Sequence, residues 1–287
     1  MTVETPGIAG RSSIAGEEVP KDLLPSQGHT IPILVFSDLD GTLIDHHSYD
    51  FSSARPALDA LRDLGAGVVL SSSKTAAEIA VIREAMGLSS WPAIVENGAG
   101  VLEARAQPDD DQWGYQRLRS LLDALPETLR SQFIGFGDMS AEQLVEATGL
   151  TVPAAKLAKQ RSYSEPGLWT GKKEDRQAFL DALAEHGVSA RSGGRFLTLS
   201  FGGTKADQML ALIRRFDPCH TVALGDAPND VEMLETADHG FVVANPDSPE
   251  LPELDGETAG RIQRTKLAGP AGWNAAILEL LYKLELT

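Results

Sequence analysis

Asp38 and Asp40 stand two apart in the run Asp38-Leu39-Asp40-Gly41-Thr42-Leu43. On an extended backbone that spacing points both carboxylates to one side, and Gly41 then permits a sharp turn. Such a pair suits hydrolysis of a phosphate monoester: one carboxylate attacks in line, and the other exchanges protons with the leaving and attacking oxygens. The reaction also needs charge neutralisation around the phosphoryl oxygens. Ser72, in Ser71-Ser72-Ser73-Lys74-Thr75, can hold a phosphoryl oxygen, and Lys205 can supply a point charge to the same group. Asp226 and Asp230 flank the turn Gly225-Asp226-Ala227-Pro228-Asn229-Asp230. They can complete an oxygen-rich Mg²⁺ site with Asp38, and such a metal would screen Asp38 from an incoming phosphate. Taken singly, each piece has a plainer reading. Asp-x-Asp-Gly could be a turn or a calcium-like loop, a serine run a loop, a helix-opening Lys solvated, and Gly-Asp-x-x-x-Asp a helix cap. In combination and in this order they supply every part the reaction needs.

The elements that must position these residues are legible as apolar runs. Ile31 to Ser37 is nearly continuous and predicts a parallel strand buried on both faces, ending at Asp38. A helical pattern around Ala54 to Leu64 is followed by a strand at Val68 to Leu70 that runs into the serines. A helix from Ala76 to Met86, with Gly87 as its C-terminal cap, leads to a strand at Ala93 to Val95. Strand and helix in alternation imply an α/β fold with a doubly wound parallel sheet, whose ligands bind at the carboxyl ends of the strands. From about Val101 to Leu199 the pattern changes. Helical stretches at Leu118 to Leu129, Ala141 to Thr148 and Asp175 to His186 mix with strands at Ile134 to Phe136 and Arg195 to Ser200, and Gly193-Gly194 signals a turn. This reads as an inserted α+β domain. The first pattern then resumes, with a helix from Ala206 to Phe216, strands at Thr221 to Leu224 and Gly240 to Val243, and a closing helix from Ala271 to Leu284. The expected division is a core of residues 31–101 and 201–287, a cap of residues 102–200, and a disordered tail of residues 1–30. The tail is rich in Gly, Pro, Ser and Glu and lacks the apolar centre of a secretory signal.

The 287 residues carry a formal charge of −16, which disfavours nucleic acid and anionic membrane surfaces as partners. No segment approaches the roughly 20 apolar residues of a membrane span. The one cysteine, Cys219, allows no intrachain disulfide and suits a reducing, cytoplasmic setting. No base is placed beside it, so it reads as a small residue at a strand entrance.

These motifs, in this order, resemble those of the haloacid dehalogenase-like phosphatases over about residues 31 to 285. The long gap between Ser72 and Lys205 is similar to the C2B cap subclass, with an α+β lid inserted into a Rossmann-like core. The resemblance implies that Asp38 is the nucleophile and Asp40 the general acid and base, and that Ser72 and Lys205, with Asn229, bind phosphate. It further implies that Asp38, the Asp40 backbone carbonyl and Asp226 ligate Mg²⁺, with Asp230 supporting the metal and Lys205 from behind. Ser72-Ser73-Lys74-Thr75, Arg161-Ser162-Tyr163-Ser164-Glu165-Pro166, Gly193-Gly194-Arg195-Phe196 and Gly269-Pro270-Ala271-Gly272-Trp273 look like the mannosyl-3-phosphoglycerate phosphatase branch. That branch implies a small, phosphorylated sugar–glycerate substrate. The cap residues it points to are Arg161 and Arg195 for the substrate carboxylate, with Ser164 and Glu165 for sugar hydroxyls. Ala227 stands where the branch suggests a hydroxyl residue. His46 and His47 follow the first motif, although oxygens already supply the metal site. Glucosyl-3-phosphoglycerate or another sugar phosphate as substrate, a sugar phosphomutase, and a binding protein without turnover remain as alternatives.

Overall fold

All five residues of β1 (Ile33–Ser37) are buried, because the strand lies mid-sheet with helices on both faces. The computed structural model describes residues 30–108, 112–193 and 195–286. The expected tail, apart from Thr30, and Gly194 of the expected turn lie outside these. Side chains of β1 alternate between two apolar layers. Ile33 and Val35 pack with Leu58, Leu61, Ile79, Trp273 and Ile277. Leu34 and Phe36 pack with Met209, Leu212, Met233 and Leu234. The remaining core strands are β2 (Gly67–Ser71), β3 (Ala93–Val95), β4 (Gly100–Leu102), and, after the cap, β9 (His220–Gly225), β10 (His239–Ala244) and β11 (Ile262–Ala268). Their order is β11-β10-β9-β1-β2-β3-β4, and every pairing is parallel except β3 with β4. The doubly wound α/β reading therefore holds, with an antiparallel edge strand and a polar opposite edge, β11, that the apolar-run reading misses.

Between them, β5 (Phe133–Gly135), β6 (Ser164–Trp169), β7 (Ser189–Gly193) and β8 (Phe196–Ser200) form a separate antiparallel sheet of order β5-β6-β8-β7. Leu197 and Leu199 of β8 join Leu118, Leu122, Phe133, Phe179 and Leu183 beneath the helices Trp113–Asp123 and Lys173–Ala184. A smaller cluster of Phe136, Met139, Leu144, Ala155 and Ala158 lies with the helices Ala141–Thr148 and Val152–Ala158. Ser164 and Arg191 reach the core, contacting Glu96 and Glu232. Their face of the cap sheet thus meets the core, and the face carrying Leu197 and Leu199 turns away. Among the described residues no helix is long and apolar enough to cross a membrane.

Candidate active site

The parallel register sets the site. Ser37 of β1 lies beside Leu70 of β2 and Leu224 of β9, so Asp38, Ser71-Ser72 and Gly225-Asp226 leave the sheet at one edge. The Asp38 N–H still donates to the Leu224 carbonyl at 2.9 Å, extending the ladder one residue into the site. The turn after it requires glycine. Gly41 has φ +80°, and a Cβ there would run into the side-chain amide of Asn245.

Lys205 opens the helix Lys205–Phe216, held by a capping box between Thr204 and Asp207. Its buried ammonium donates to Asp38 Oδ1 at 2.6 Å and Asp230 Oδ1 at 2.7 Å. Burial alone would push Lys205 down, but Asp230 and Asp38 reverse this and its pKa lies above the ordinary lysine value. Asp230 Oδ2 accepts the Asp226 and Ala227 N–H groups. Position 227 therefore serves this turn through its backbone, which its missing hydroxyl does not disturb. Asp226 is fixed by Thr42 Oγ1 on Oδ1 at 2.8 Å, and by Asn245 Nδ2 at 2.8 Å and Ser248 Oγ at 3.1 Å on Oδ2.

Carboxylate oxygens of Asp38, Asp226 and Asp230 lie within 4.8 Å of one another, and all three residues are buried. One ammonium against three carboxylates leaves two formal negative charges out of water, a costly arrangement without a cation. Accordingly Asp38 is pushed well above the usual carboxylate range, chiefly by burial, with Lys205 opposing and Asp230 and Asp226 reinforcing the shift. Burial likewise raises Asp226, against its hydrogen bonds from Asn245 and Thr42 and with help from Asp230. A hard divalent cation with oxygen ligands fits both the charge and the donor set. His47 lies away from this cluster, on Asp247 at 3.1 Å, with His46 edge-on to its ring.

Asp40 is half-buried and pairs with Lys74 Nζ through Oδ2 at 2.9 Å. The Ser72 hydroxyl is buried and accepts the Lys74 N–H at 3.3 Å. The exposed Asn229 amide donates to Asn97 Oδ1 at 3.1 Å.

The cap residues do not converge in the same way. Arg161 is 3% exposed, and its guanidinium donates to Glu96 Oε2, the Ser164 carbonyl and hydroxyl, and the Ser73 carbonyl. Glu96, with φ +52°, also accepts from Ser162 N, Tyr163 N and Ser164 Oγ. Arg161 and Ser164 thus tie cap to core. Glu165 follows Ser164 on β6 and points to the opposite face, where it accepts from Tyr115 Oη, Arg119 Nη1 and Gly137 N. Arg195 is exposed on the β7–β8 turn with its guanidinium over Phe196. Sequence reasoning left Thr42, Lys74, Asn245 and Ser248 without roles. The rule that finds Asp226, polar residues just past a buried strand, also points to Asn245 after β10.

Comparison with known proteins agrees with this geometry. The family described as haloacid dehalogenase-like hydrolase matches residues 34–238. A protein of Methanococcoides burtonii named glucosyl-3-phosphoglycerate/mannosyl-3-phosphoglycerate phosphatase is 32% identical over 269 residues, covering 87% of this chain and 97% of the relative. Two solved structures share the fold. A haloacid dehalogenase-like hydrolase from Bacteroides thetaiotaomicron has a TM-score of 0.62 at 17% identity, covering 87% of this chain and 99% of its own. The sucrose-phosphatase of Synechocystis, solved with sucrose and phosphate, has a TM-score of 0.58 at 16% identity, covering 90% and 99%. On the strength of the family match and of a relative aligned over nearly its whole length, the chain belongs to the haloacid dehalogenase-like hydrolases.

Proposed function

We propose that this phosphoric monoester hydrolase removes phosphate from a glycosylated 3-phosphoglycerate, mannosyl-3-phosphoglycerate foremost, with Asp38 as nucleophile and Mg²⁺ as its metal. The observation that carries the chemistry is the buried excess of negative charge at the strand ends, clamped by Lys205. Asp38 attacks phosphorus, the bond from phosphorus to the leaving oxygen breaks, and Asp40 gives that oxygen its proton. Water then attacks the phosphoryl-Asp38, Asp40 takes a proton from it, and the bond between Asp38 and phosphorus breaks to release inorganic phosphate. Lys205 and Ser72 hold the phosphoryl oxygens, with Asn229 at the mouth. Mg²⁺ held by Asp38, Asp226 and the Asp40 carbonyl, with Asp230 behind them, would offset the charge of carboxylate and phosphate together.

The substrate reading is supported by the name of the Methanococcoides burtonii relative, carried over a chain of nearly equal extent. Residues 102–200 act in this reading as the cap that sees the rest of the substrate. The test is a panel of mannosyl- and glucosyl-3-phosphoglycerate, sucrose phosphate and simple hexose phosphates, with phosphate release measured in Mg²⁺. The two glycosylated phosphoglycerates should give the highest kcat/KM. Equal turnover of simple hexose phosphates, or isomerisation without phosphate release, would contradict the proposal.

A further inference from the structure

We propose that Lys74 receives the substrate carboxylate and thereby sets the preference for phosphoglycerate esters. The inference rests on the glycosylated phosphoglycerate reading above. Such a substrate brings a second anion close to the reacting phosphate, and a cation is needed to meet it. The guanidinium of Arg161 is already spent on Glu96, Ser164 and the Ser73 carbonyl. Arg119 and Arg130 are engaged by Glu165, Asp138 and Asp123. Lys205 has its three donors for Asp38, Asp230 and, in this reading, the phosphoryl group.

Lys74 is placed differently. Its ammonium makes one ion pair, to Asp40 Oδ2 at 2.9 Å, and lies 5.3 Å from the centre of the Tyr49 ring. An ammonium has three donors, so the Asp40 bond leaves capacity for a second carboxylate. The Lys74 side chain is 10% exposed, and the Asp40 carboxylate it pairs with is 33% exposed, so the largely buried ammonium sits beside a carboxylate that reaches solvent. The backbone beneath is held firmly, with Lys74 N–H on Ser72 Oγ and the Lys74 carbonyl accepting Glu96 N–H at 2.9 Å.

Substrate geometry then selects this group. The general acid must come within about 2.6–3.2 Å of the leaving oxygen. In a 3-phosphoglycerate, two carbon–carbon bonds of about 1.5 Å each separate the carbon bearing that oxygen from the carboxylate carbon. A cation touching Asp40 is therefore within reach of the carboxylate when Asp40 is within reach of the leaving oxygen. Lys74 is the described cation that meets this condition.

The competing role, in which Lys74 only orients Asp40, predicts a different kinetic pattern. The test compares kcat/KM for mannosyl-3-phosphoglycerate with that for the same ester whose carboxylate is reduced to a hydroxymethyl group. It uses full-length wild type, Lys74→Gln, Lys74→Met and Lys74→Arg in Mg²⁺, each checked for folding by circular dichroism. Wild type should prefer the carboxylate ester. Lys74→Gln and Lys74→Met should lower that preference about ten- to a hundredfold, mainly through KM, as expected for loss of a charge-assisted hydrogen bond. Lys74→Arg should retain most of it. An equal fall for both esters, or an undiminished preference in Lys74→Gln or Lys74→Met, would overturn the role of Lys74 and leave the substrate reading standing. A wild type with no preference would overturn the substrate reading and this inference with it.

Discussion

Two buried ionic clusters lie close together in this chain, and their charge balance differs. At the strand ends, three carboxylates share one ammonium. At the junction of core and cap, Glu96 meets Arg161 one to one, and its carboxylate is saturated by the Ser162 and Tyr163 N–H groups and the Ser164 hydroxyl. The first cluster is incomplete without a cation, and burial raises the pKa of Asp38 and Asp226 within it. The second is complete as it stands. The contrast separates a site built to bind and react from one built to hold position. It also explains how the second serves the first. The carbonyls of Ser72, Ser73 and Lys74 accept, in turn, Asn97 N, Arg161 Nη2 and Glu96 N. The loop carrying Ser72 is thereby fastened from the junction.

The largest effect should come from the unbalanced cluster. Asp38→Asn is expected to lower kcat by about 10⁴-fold or more while the protein still folds, checked by steady-state phosphate release and circular dichroism. Activity near wild type would erase the distinction between the clusters. At the junction, Glu96→Gln leaves Arg161 buried without its counter-charge, and a loss of about 3–5 kcal/mol in unfolding free energy is expected, read by urea denaturation. A loss below about 1 kcal/mol would mean that the junction bears no structural load.

Mg²⁺ should separate the clusters through pH. Asp38 and Asp226 have folded-state pKa values raised above their unfolded values. In metal-free protein the stability they contribute is present below the unfolded pKa of about 3.9 and is lost as pH rises through the raised values. Metal binding needs the ionised carboxylates. The melting-temperature gain from Mg²⁺ should therefore grow as pH rises from about that value toward neutrality, approaching the equivalent of about 2.7 kcal/mol at a hundredfold excess over Kd. A gain independent of pH would contradict the assignment. Glu165→Gln tests the far face of the cap sheet. It should lose about 1–3 kcal/mol of stability through its bonds with Tyr115, Arg119 and Gly137, with a much smaller change in KM than Lys74→Gln gives.

The core site was legible because its carboxylates and serine follow short apolar runs whose ends a parallel sheet brings together, while Lys205 opens the helix that resumes the core. Asp38, Ser72 and Asp226 follow directly from that rule. The cap resisted the same reading for identifiable reasons. β6 has the sequence Ser-Glu-Pro-Gly-Leu-Trp and β7 the sequence Ser-Ala-Arg-Ser-Gly, with none of the β-branched alternation that marks a strand. Without β6 as a strand, Ser164 and Glu165 look like neighbours on one surface, whereas the pleat sends them to opposite faces. Arg161 looks like a free carboxylate receptor because its partner, Glu96, lies 65 residues earlier. Spacing along the chain carries no trace of that pairing. Lys74 was hidden by its setting in a serine run whose plain reading is a loop.

The account turns on Asp38 as the attacking carboxylate, and its direct test is to trap the enzyme in turnover. Protein mixed with mannosyl-3-phosphoglycerate and Mg²⁺ should be quenched rapidly in acid, digested and analysed by mass spectrometry. The account predicts a phosphoryl adduct on the peptide containing Asp38, absent from Asp38→Asn. A phosphoryl group on another residue, or full turnover by Asp38→Asn with no adduct, would contradict it.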